Sequence, residues 1–201
     1  MDKEILYIKK QYTMFDLSIK SDQIFYWENT ISCPDVVLNL INSLDIIDSS
    51  NKYIPKWVPW KASNDDSVIY GEVKHINADI VKNLRDENKI NNKIRFIINS
   101  LLMAQTMCFE EYILKNNLNK NDYFLDCNVL SIKKWFPGSK MGPHSDGGSQ
   151  FPKLSFTAIT YLNDDFDGGE ICFPEQKVCI KPSPGSTIIF PSDFKHEVKE
   201  V

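Results

Sequence analysis

The sequence predicts an α+β fold in which N-terminal helices pack on one outer face of a double-stranded β-helix (jelly roll). Two observations predict it: apolar residues recur with helical spacing mainly in residues 33–117, and short β-type runs separated by turns fill residues 123–201. Helices followed by strands are typical of the α+β class, and many short strands favour a sandwich or barrel. No repeat or linker divides the chain, so we expect a single domain over residues 1–201.

The N-terminal part of the chain mixes strand, helix and loop patterns. Residues 4–18 alternate like a strand. Pro34 stands at a favoured first position of a helix, and the apolar residues that follow it line one face. Residues 49–66 have the composition of a loop, and its Trp57 and Trp60 are interpreted as packing residues in preference to substrate contacts.

A second helical region follows a short strand that is predicted over residues 68–73. His75, just after this strand, is interpreted as a solvated or hydrogen-bonding residue and not as a metal ligand. Residues 78–117 are predicted to form two helices with a break near residues 88–92. The second helix carries an apolar stripe from Ile94 to Ile113, and we expect it to cover one face of a sheet.

Five β-type runs follow in the C-terminal region, and turn residues separate each run from the next. The predicted strands are residues 127–135, 155–162, 170–173, 177–181 and 186–190.

Composition narrows the class of protein. The net charge of −4 argues against nucleic acid as a partner. The five cysteines do not form a disulfide framework, and Cys172 and Cys179 are interpreted as small buried thiols, although they could meet across a hairpin. The N-terminus lacks a secretory signal and no run is long enough to span a membrane. We therefore expect a soluble cytoplasmic protein without a membrane partner.

Three residues predict a metal site. In a strand, His144 and Asp146 point to the same face because they are two residues apart. His196 follows an apolar strand and a turn, and it can supply a third ligand. Two imidazoles and one carboxylate leave one side of an ion open, which suits non-haem Fe(II) and oxygen chemistry. Because a His-x-Asp tripeptide also arises by chance, the surrounding residues carry the interpretation.

Those surrounding residues resemble a known family. In order, they are Trp-Phe-Pro-Gly at 135–138, Tyr-Leu-Asn-Asp at 161–164, Gly-Gly-Glu at 168–170, Pro-Gly-Ser at 184–186, and Phe190 before His196. With this order and spacing, residues 127–201 resemble the 2-oxoglutarate- and Fe(II)-dependent dioxygenases, most closely the prolyl 4-hydroxylase-like branch.

The resemblance implies a site and a reaction. It makes His144, Asp146 and His196 the Fe(II) ligands and catalytic residues, and it places Tyr161, with Thr157 beside it, at the distal carboxylate of 2-oxoglutarate. Trp135 stands where the family has a pocket tyrosine, and an indole donates one hydrogen bond but accepts none. The family consumes O2 and releases succinate and CO2, and the implied partner is a proline-containing peptide or protein.

One departure concerns the cation that pairs with this distal carboxylate. The family carries an arginine or lysine on the strand after the last histidine, and the sequence has none at a matching position up to Val201. We expect the natural chain to continue with a further strand that bears this residue.

Three alternatives remain open. The first is a non-catalytic jelly-roll module that binds a metal or another ligand. The second is a zinc hydrolase, because the same ligands suit zinc. The third is a nucleic-acid demethylase, which the absence of downstream arginines disfavours.

Overall fold

The computed structural model describes residues 16–43, 57–60, 69–76, 92–123, 131–147 and 153–201. Its helices are α1 (Pro34–Ser43) and α2 (Asn92–Lys115), and a 3-10 turn (Lys120–Asp122) follows α2. The strands are β1 (Asp16–Ser21), β2 (Ile24–Glu28), β3 (Val58–Pro59), β4 (Ile69–Tyr70), β5 (Val73–Ile76), β6 (Ile132–Trp135), β7 (Lys140–His144), β8 (Phe156–Thr160), β9 (Ile171–Phe173), β10 (Val178–Ile180), β11 (Thr187–Pro191) and β12 (His196–Val198).

Within these residues the strands form three antiparallel sheets. One has the order β1-β2-β11-β8, a second β10-β9-β12-β7-β4, and a third β3-β5-β6. The predicted α+β class is confirmed, and the antiparallel sheets fit a jelly roll. The complete strand order of a jelly roll stays a prediction.

The four-stranded sheet separates two cores because its side chains alternate between its faces. Its inner face packs against the five-stranded sheet through Ile24, Tyr26, Ile188, Phe190, Ile171 and Phe173. Its outer face packs against α2 through Phe25, Trp27, Ile189, Cys108 and Tyr112. The helix therefore covers one outer face of the sheet, and each large apolar side chain buried there contributes about 1.5–3 kcal/mol.

Helix α1 begins at Pro34, the residue that the sequence predicts as its first position. Asp35 lies in its first turn, where a negative charge is favourable. Val37 and Ile41 are four residues apart, so they share one face and are buried in a core with Leu101 of α2. Helix α1 is therefore held in place by its packing against α2.

The strand predicted over residues 68–73 is not a single strand in its described part, residues 69–73. Instead, β4 pairs with β7, whereas β5 pairs with β3 and β6 in another sheet. Gly71 lies between them with a φ of 83°, and a Cβ there would lie 2.7 Å from the Cα of Ser139. A glycine turn therefore transfers the chain from one sheet to the other.

The interpretation of Cys172 and Cys179 as free thiols is wrong. They lie opposite each other on the β9–β10 hairpin and form a disulfide. Cys108 is a buried free thiol and Cys33 an exposed one. The cytoplasmic location stays a prediction, and this disulfide removes the support that cysteine usage gave it.

Some predictions lie outside the described residues. These are residues 4–15 of the strand predicted over residues 4–18, most of the loop over residues 49–66, the first helix of the 78–117 region, and residues 127–130 of the strand predicted over residues 127–135. The second helix of that region is confirmed as α2. Neither described helix combines the length and apolar character needed to cross a membrane.

Candidate metal centre

Strands β7 and β12 bring two of the three histidines together. His144 ends β7, His196 begins β12, and the two residues are direct partners in the antiparallel pair. Directly opposite residues point to the same face of a sheet. The ring centroids accordingly lie 4.2 Å apart, although fifty-two residues separate the two histidines in the chain.

Asp146 completes the cluster from a bend after β7, and not from within a strand as the sequence predicts. Its Oδ1 lies 3.6 Å from Nε2 of His144, and its Oδ2 lies 3.7 Å from Nε2 of His196. The next residue, Gly147, donates its backbone N–H to the carbonyl of Ser192 at 2.8 Å. This bond fixes the bend to the residue that follows β11.

Both histidine rings are oriented by the same local contact. Nδ1 of His144 lies 2.9 Å from the carbonyl oxygen of Gly142, and Nδ1 of His196 lies 3.1 Å from that of Phe194. A carbonyl oxygen only accepts, so each Nδ1 carries the proton and each Nε2 keeps its lone pair. Both lone pairs belong to the nitrogens nearest Asp146, which is the tautomer that a metal ligand requires.

Thr157 holds the carboxylate from the other sheet. Its hydroxyl on β8 donates to Oδ2 of Asp146 at 2.7 Å, and Oγ of Ser192 lies 3.3 Å from the same hydroxyl. Ligating carboxylates are commonly fixed by such hydrogen bonds. The observed contact of Thr157 is therefore with a metal-ligand candidate.

The electrostatics favour the metal-binding forms of Asp146 and His196. Burial raises the pKa of Asp146, but His144, His196 and the Thr157 hydrogen bond together outweigh burial and lower this pKa to about 2. Burial lowers the pKa of His196, against the opposing charge of Asp146. At neutral pH Asp146 is therefore ionised and His196 is neutral, and metal binding does not first have to remove their protons.

The donor set fits a divalent ion. One ligand atom from each of the three residues lies within 4.8 Å of the others, and no other such group of three occurs in the described part of the chain. Metal–nitrogen distances are about 2.0–2.1 Å, so two donors on one ion can lie up to about 4.2 Å apart. The distances of 3.6 and 3.7 Å between the Asp146 carboxylate and the two Nε2 atoms lie within this limit. Two histidines and one carboxylate with open positions are typical of non-haem Fe(II) sites.

The other predicted site residues occupy separate positions. Tyr161 packs in the core between the sheets, near Tyr26, and burial raises the pKa of its hydroxyl, which remains a proton donor at neutral pH. The ring of Trp135 on β6 lies edge-to-face with Trp60 at 6.4 Å. Of the three predicted cofactor contacts, all in the described part of the chain, only Thr157 hydrogen-bonds to the triad. Their roles at 2-oxoglutarate stay predictions.

One charged residue near the centre is not among the predicted site residues: Lys133 on β6. Burial lowers the pKa of this lysine, and the charge of Asp146 opposes that effect, so the ammonium lies within electrostatic reach of Asp146. A signal was available in the alternation of the strand, which puts Lys133 on the same face as Trp135.

Comparison with known families defines the class of this region. Residues 130–201 match the family model described as the 2OG-Fe(II) oxygenase superfamily, and this stretch contains the whole triad. The resemblance drawn from the sequence is confirmed for this part of the chain.

Individual relatives are hydroxylases. The chain is 34% identical over 80 residues to a PKHD-type hydroxylase of Crocosphaera subtropica. The match covers 36% of this chain and 36% of that relative, so the chain spans about a third of the relative's length. A prolyl-4-hydroxylase structure from Pseudomonas putida aligns with a TM-score of 0.52 at 15% identity, over 89% of this chain and 85% of the other. This alignment shows that the fold is shared.

A viral collagen prolyl hydroxylase from Paramecium bursaria Chlorella virus-1, solved in complex with 2OG, aligns with a TM-score of 0.46. Its identity is 15%, over 90% of this chain and 91% of the other.

Proposed function

We propose that the protein is an Fe(II)- and 2-oxoglutarate-dependent dioxygenase that hydroxylates a prolyl residue in a peptide or protein. The observation that carries the proposal is the convergence of two Nε2 atoms and one carboxylate, from His144, His196 and Asp146, within the stretch that matches the oxygenase family. Such a triad occupies one side of an ion and leaves positions for other ligands.

In this proposal the residues of the chain bind the metal ion, orient the metal ligands and limit the access of water. His144 and His196 present Nε2 because backbone carbonyls hold their Nδ1 atoms, and Thr157 orients Asp146. The rings of Phe190 and Phe173 lie 4.8 and 6.0 Å from the His196 ring, so one side of the centre is apolar. An apolar wall of this kind limits the access of water.

Bound Fe(II) and 2-oxoglutarate would supply the oxidising chemistry, in which one oxygen atom of O2 enters a C–H bond and the other enters succinate as CO2 is released. Tyr161 is proposed to donate its hydroxyl hydrogen to the distal carboxylate, since the hydroxyl stays protonated. Trp135 is proposed to line the same pocket through its indole.

The prolyl substrate is the finer part of the proposal. It is supported by the likeness of the fold to a prolyl-4-hydroxylase and by the partial match to a PKHD-type hydroxylase.

The single-domain organisation over residues 1–201 is likewise a proposal.

A two-stage experiment tests the function. Anaerobic addition of Fe(II) and then 2-oxoglutarate is expected to produce a weak visible charge-transfer band that is absent in Asp146→Ala. Admission of O2 with a set of proline-containing peptides is then expected to release succinate and to add one oxygen atom to a peptide. A protein that forms the band but never releases succinate would be a non-catalytic binding module, and a protein without the band would not be a 2-oxoglutarate enzyme.

A further inference from the structure

A cavity of about 520 Å³ lies between three turns of the chain. It is lined by Ser21, Asp22 and Gln23 at the β1–β2 turn, by Gln176 at the β9–β10 turn, and by Phe194 between β11 and β12. Its volume falls in the range of about 300–1,000 Å³ that is typical of sites for small ligands. None of these residues belongs to the triad, so the cavity is a separate site.

The cavity lies at the same end of the sheets as the metal centre. Strand β12 begins at His196 and pairs antiparallel with β9, so the turn that follows β9 adjoins the start of β12. Phe194 comes two residues before His196, and its carbonyl oxygen is the one that orients the ring of this histidine. Two residues span at most about 7 Å of chain. A ligand that contacts Phe194 would therefore lie beside the metal centre.

One wall of the cavity carries a polar atom without a partner. Oε1 of Gln176 is buried and accepts no hydrogen bond in the part of the chain that the structure describes. Buried polar groups in proteins are almost always paired. The terminal torsion of a glutamine side chain is soft, so the amide can turn toward a donor that enters the cavity. An unpaired acceptor in this position is expected where a ligand donates a hydrogen bond.

The lining of the cavity favours a cation. Asp22 is its one ionisable residue. Lys20, Lys177 and Lys195 are sequence neighbours of lining residues, but none of them lines the cavity. Phe194 adds an aromatic ring, whose face attracts a cation. A carboxylate, an unpaired amide oxygen and an aromatic ring together suit a guanidinium group, which is planar, donates several hydrogen bonds and packs on aromatic rings.

We propose that this cavity binds a guanidinium group, with Asp22 as its ion-pair partner, Gln176 as a hydrogen-bond acceptor and Phe194 as the surface on which it packs. The group can come from an arginine of a peptide or from a free small molecule. The site goes beyond the proposed function and does not rest on it, because the cavity contains no metal ligand. In a peptide, an arginine bound here would bring its neighbours in the sequence close to the metal centre.

Nuclear magnetic resonance on the isotope-labelled protein tests the site without turnover. N-acetylarginine amide and N-acetylcitrulline amide are titrated separately, because they have nearly the same shape and only the first carries a charge. The arginine compound is expected to shift the backbone amides of Asp22 and Gln23 and the side-chain amide of Gln176 to saturation. It should bind about five- to tenfold more tightly than the citrulline compound, the size of an exposed ion pair with a charge-assisted hydrogen bond. Asp22→Asn should remove most of this preference, whereas Asp16→Asn, at the other end of the β1–β2 hairpin, should keep it.

Equal affinity for the two compounds would overturn the assignment, as would shifts confined to residues outside the cavity or retention of the preference in Asp22→Asn. The dispersion of each spectrum verifies that the variant folds. If Asp22→Asn does not fold, Gln176→Met, which has a similar length and lacks the amide, must lose part of the preference for the assignment to stand.

The source of the guanidinium is identified with a peptide that carries arginine beside proline, and with its citrulline counterpart. Tighter binding of the arginine peptide than of N-acetylarginine amide makes a peptide the source. Equal affinities make a free guanidinium compound the source.

Discussion

Thr157 on β8 donates a 2.7 Å hydrogen bond to Asp146, which follows β7, and so joins the two large sheets at the metal centre. The four-stranded sheet thereby positions a ligand candidate that is attached to the five-stranded sheet. The geometry of the centre therefore depends on the packing of both sheets as well as on the His-x-Asp sequence.

Thr157→Val should weaken metal binding while it preserves the fold, because valine has nearly the same shape and lacks the hydroxyl. Loss of a hydrogen bond to a ligand typically lowers metal affinity by about 10–100-fold. Mn(II) titration followed by electron paramagnetic resonance measures the change. Thr160→Val is the control, since the hydroxyl of Thr160 bonds to Thr187. Equal effects of the two variants would show that the Asp146 contact has no special role.

Asp146→Ala should abolish stoichiometric Fe(II) binding and succinate release with the fold retained. The carboxylate lies in a bend and is not part of the apolar core. Iron content after anaerobic loading, together with circular dichroism, checks both parts. Asp164→Ala removes an exposed carboxylate and should leave both unchanged. Full iron affinity in Asp146→Ala would rule out the triad.

Tyr161→Phe should reduce the affinity for 2-oxoglutarate and leave peptide affinity nearly unchanged. The variant deletes one hydroxyl, whose hydrogen bond to a carboxylate is worth roughly 0.5–3 kcal/mol. Succinate release as a function of 2-oxoglutarate concentration measures the effect. Tyr70→Phe, at a half-exposed tyrosine, serves as the control. An unchanged concentration dependence would assign Tyr161 to packing alone.

The metal-free protein should lose stability as the pH falls. Burial lowers the pKa of His196 below its ordinary 6.5, so below that pH the unfolded chain binds a proton that the folded chain resists. Stability therefore rises with pH up to about 6.5 and then levels off. The Asp146 pKa of about 2, against an ordinary 3.8, adds a second loss as the pH falls from about 4 toward 2.

Urea unfolding at a series of pH values tests this pH dependence. His196→Gln should flatten the upper part of the profile, below about pH 6.5, because it removes the titrating group. Parallel profiles for wild type and His196→Gln would contradict the assignment of this pH dependence to His196.

Ile188→Ala should destabilise the protein by about 2–5 kcal/mol, because Ile188 is fully buried between the two large sheets. Urea unfolding measures the free energy. Leu114→Ala is the comparison: this residue is 75% exposed, and its change should lie within about 0.5 kcal/mol. A small effect at Ile188 would mean that the interior between the sheets is loosely packed.

The sequence predicted those parts of the fold that residues close together in the chain determine. Periodicity located both described helices, Pro34 marked a helix start, and the order of motifs located the triad. The division between β4 and β5 was missed because it depends on a close approach between Gly71 and Ser139, which are distant in the chain. Lys133 was missed because strand alternation predicts the face on which a residue lies and not what packs against that face.

The long chain segment between His144 and His196 has a thermodynamic consequence. The unfolded chain does not hold these ligands together, since closing so long a loop costs conformational entropy. An ion that binds only the folded form shifts the equilibrium, by about 2.7 kcal/mol at a free concentration of about 100 times Kd. Iron supply would then set the lifetime of the protein as well as its activity, because depletion raises the unfolded fraction about a hundredfold and exposes the chain to proteolysis.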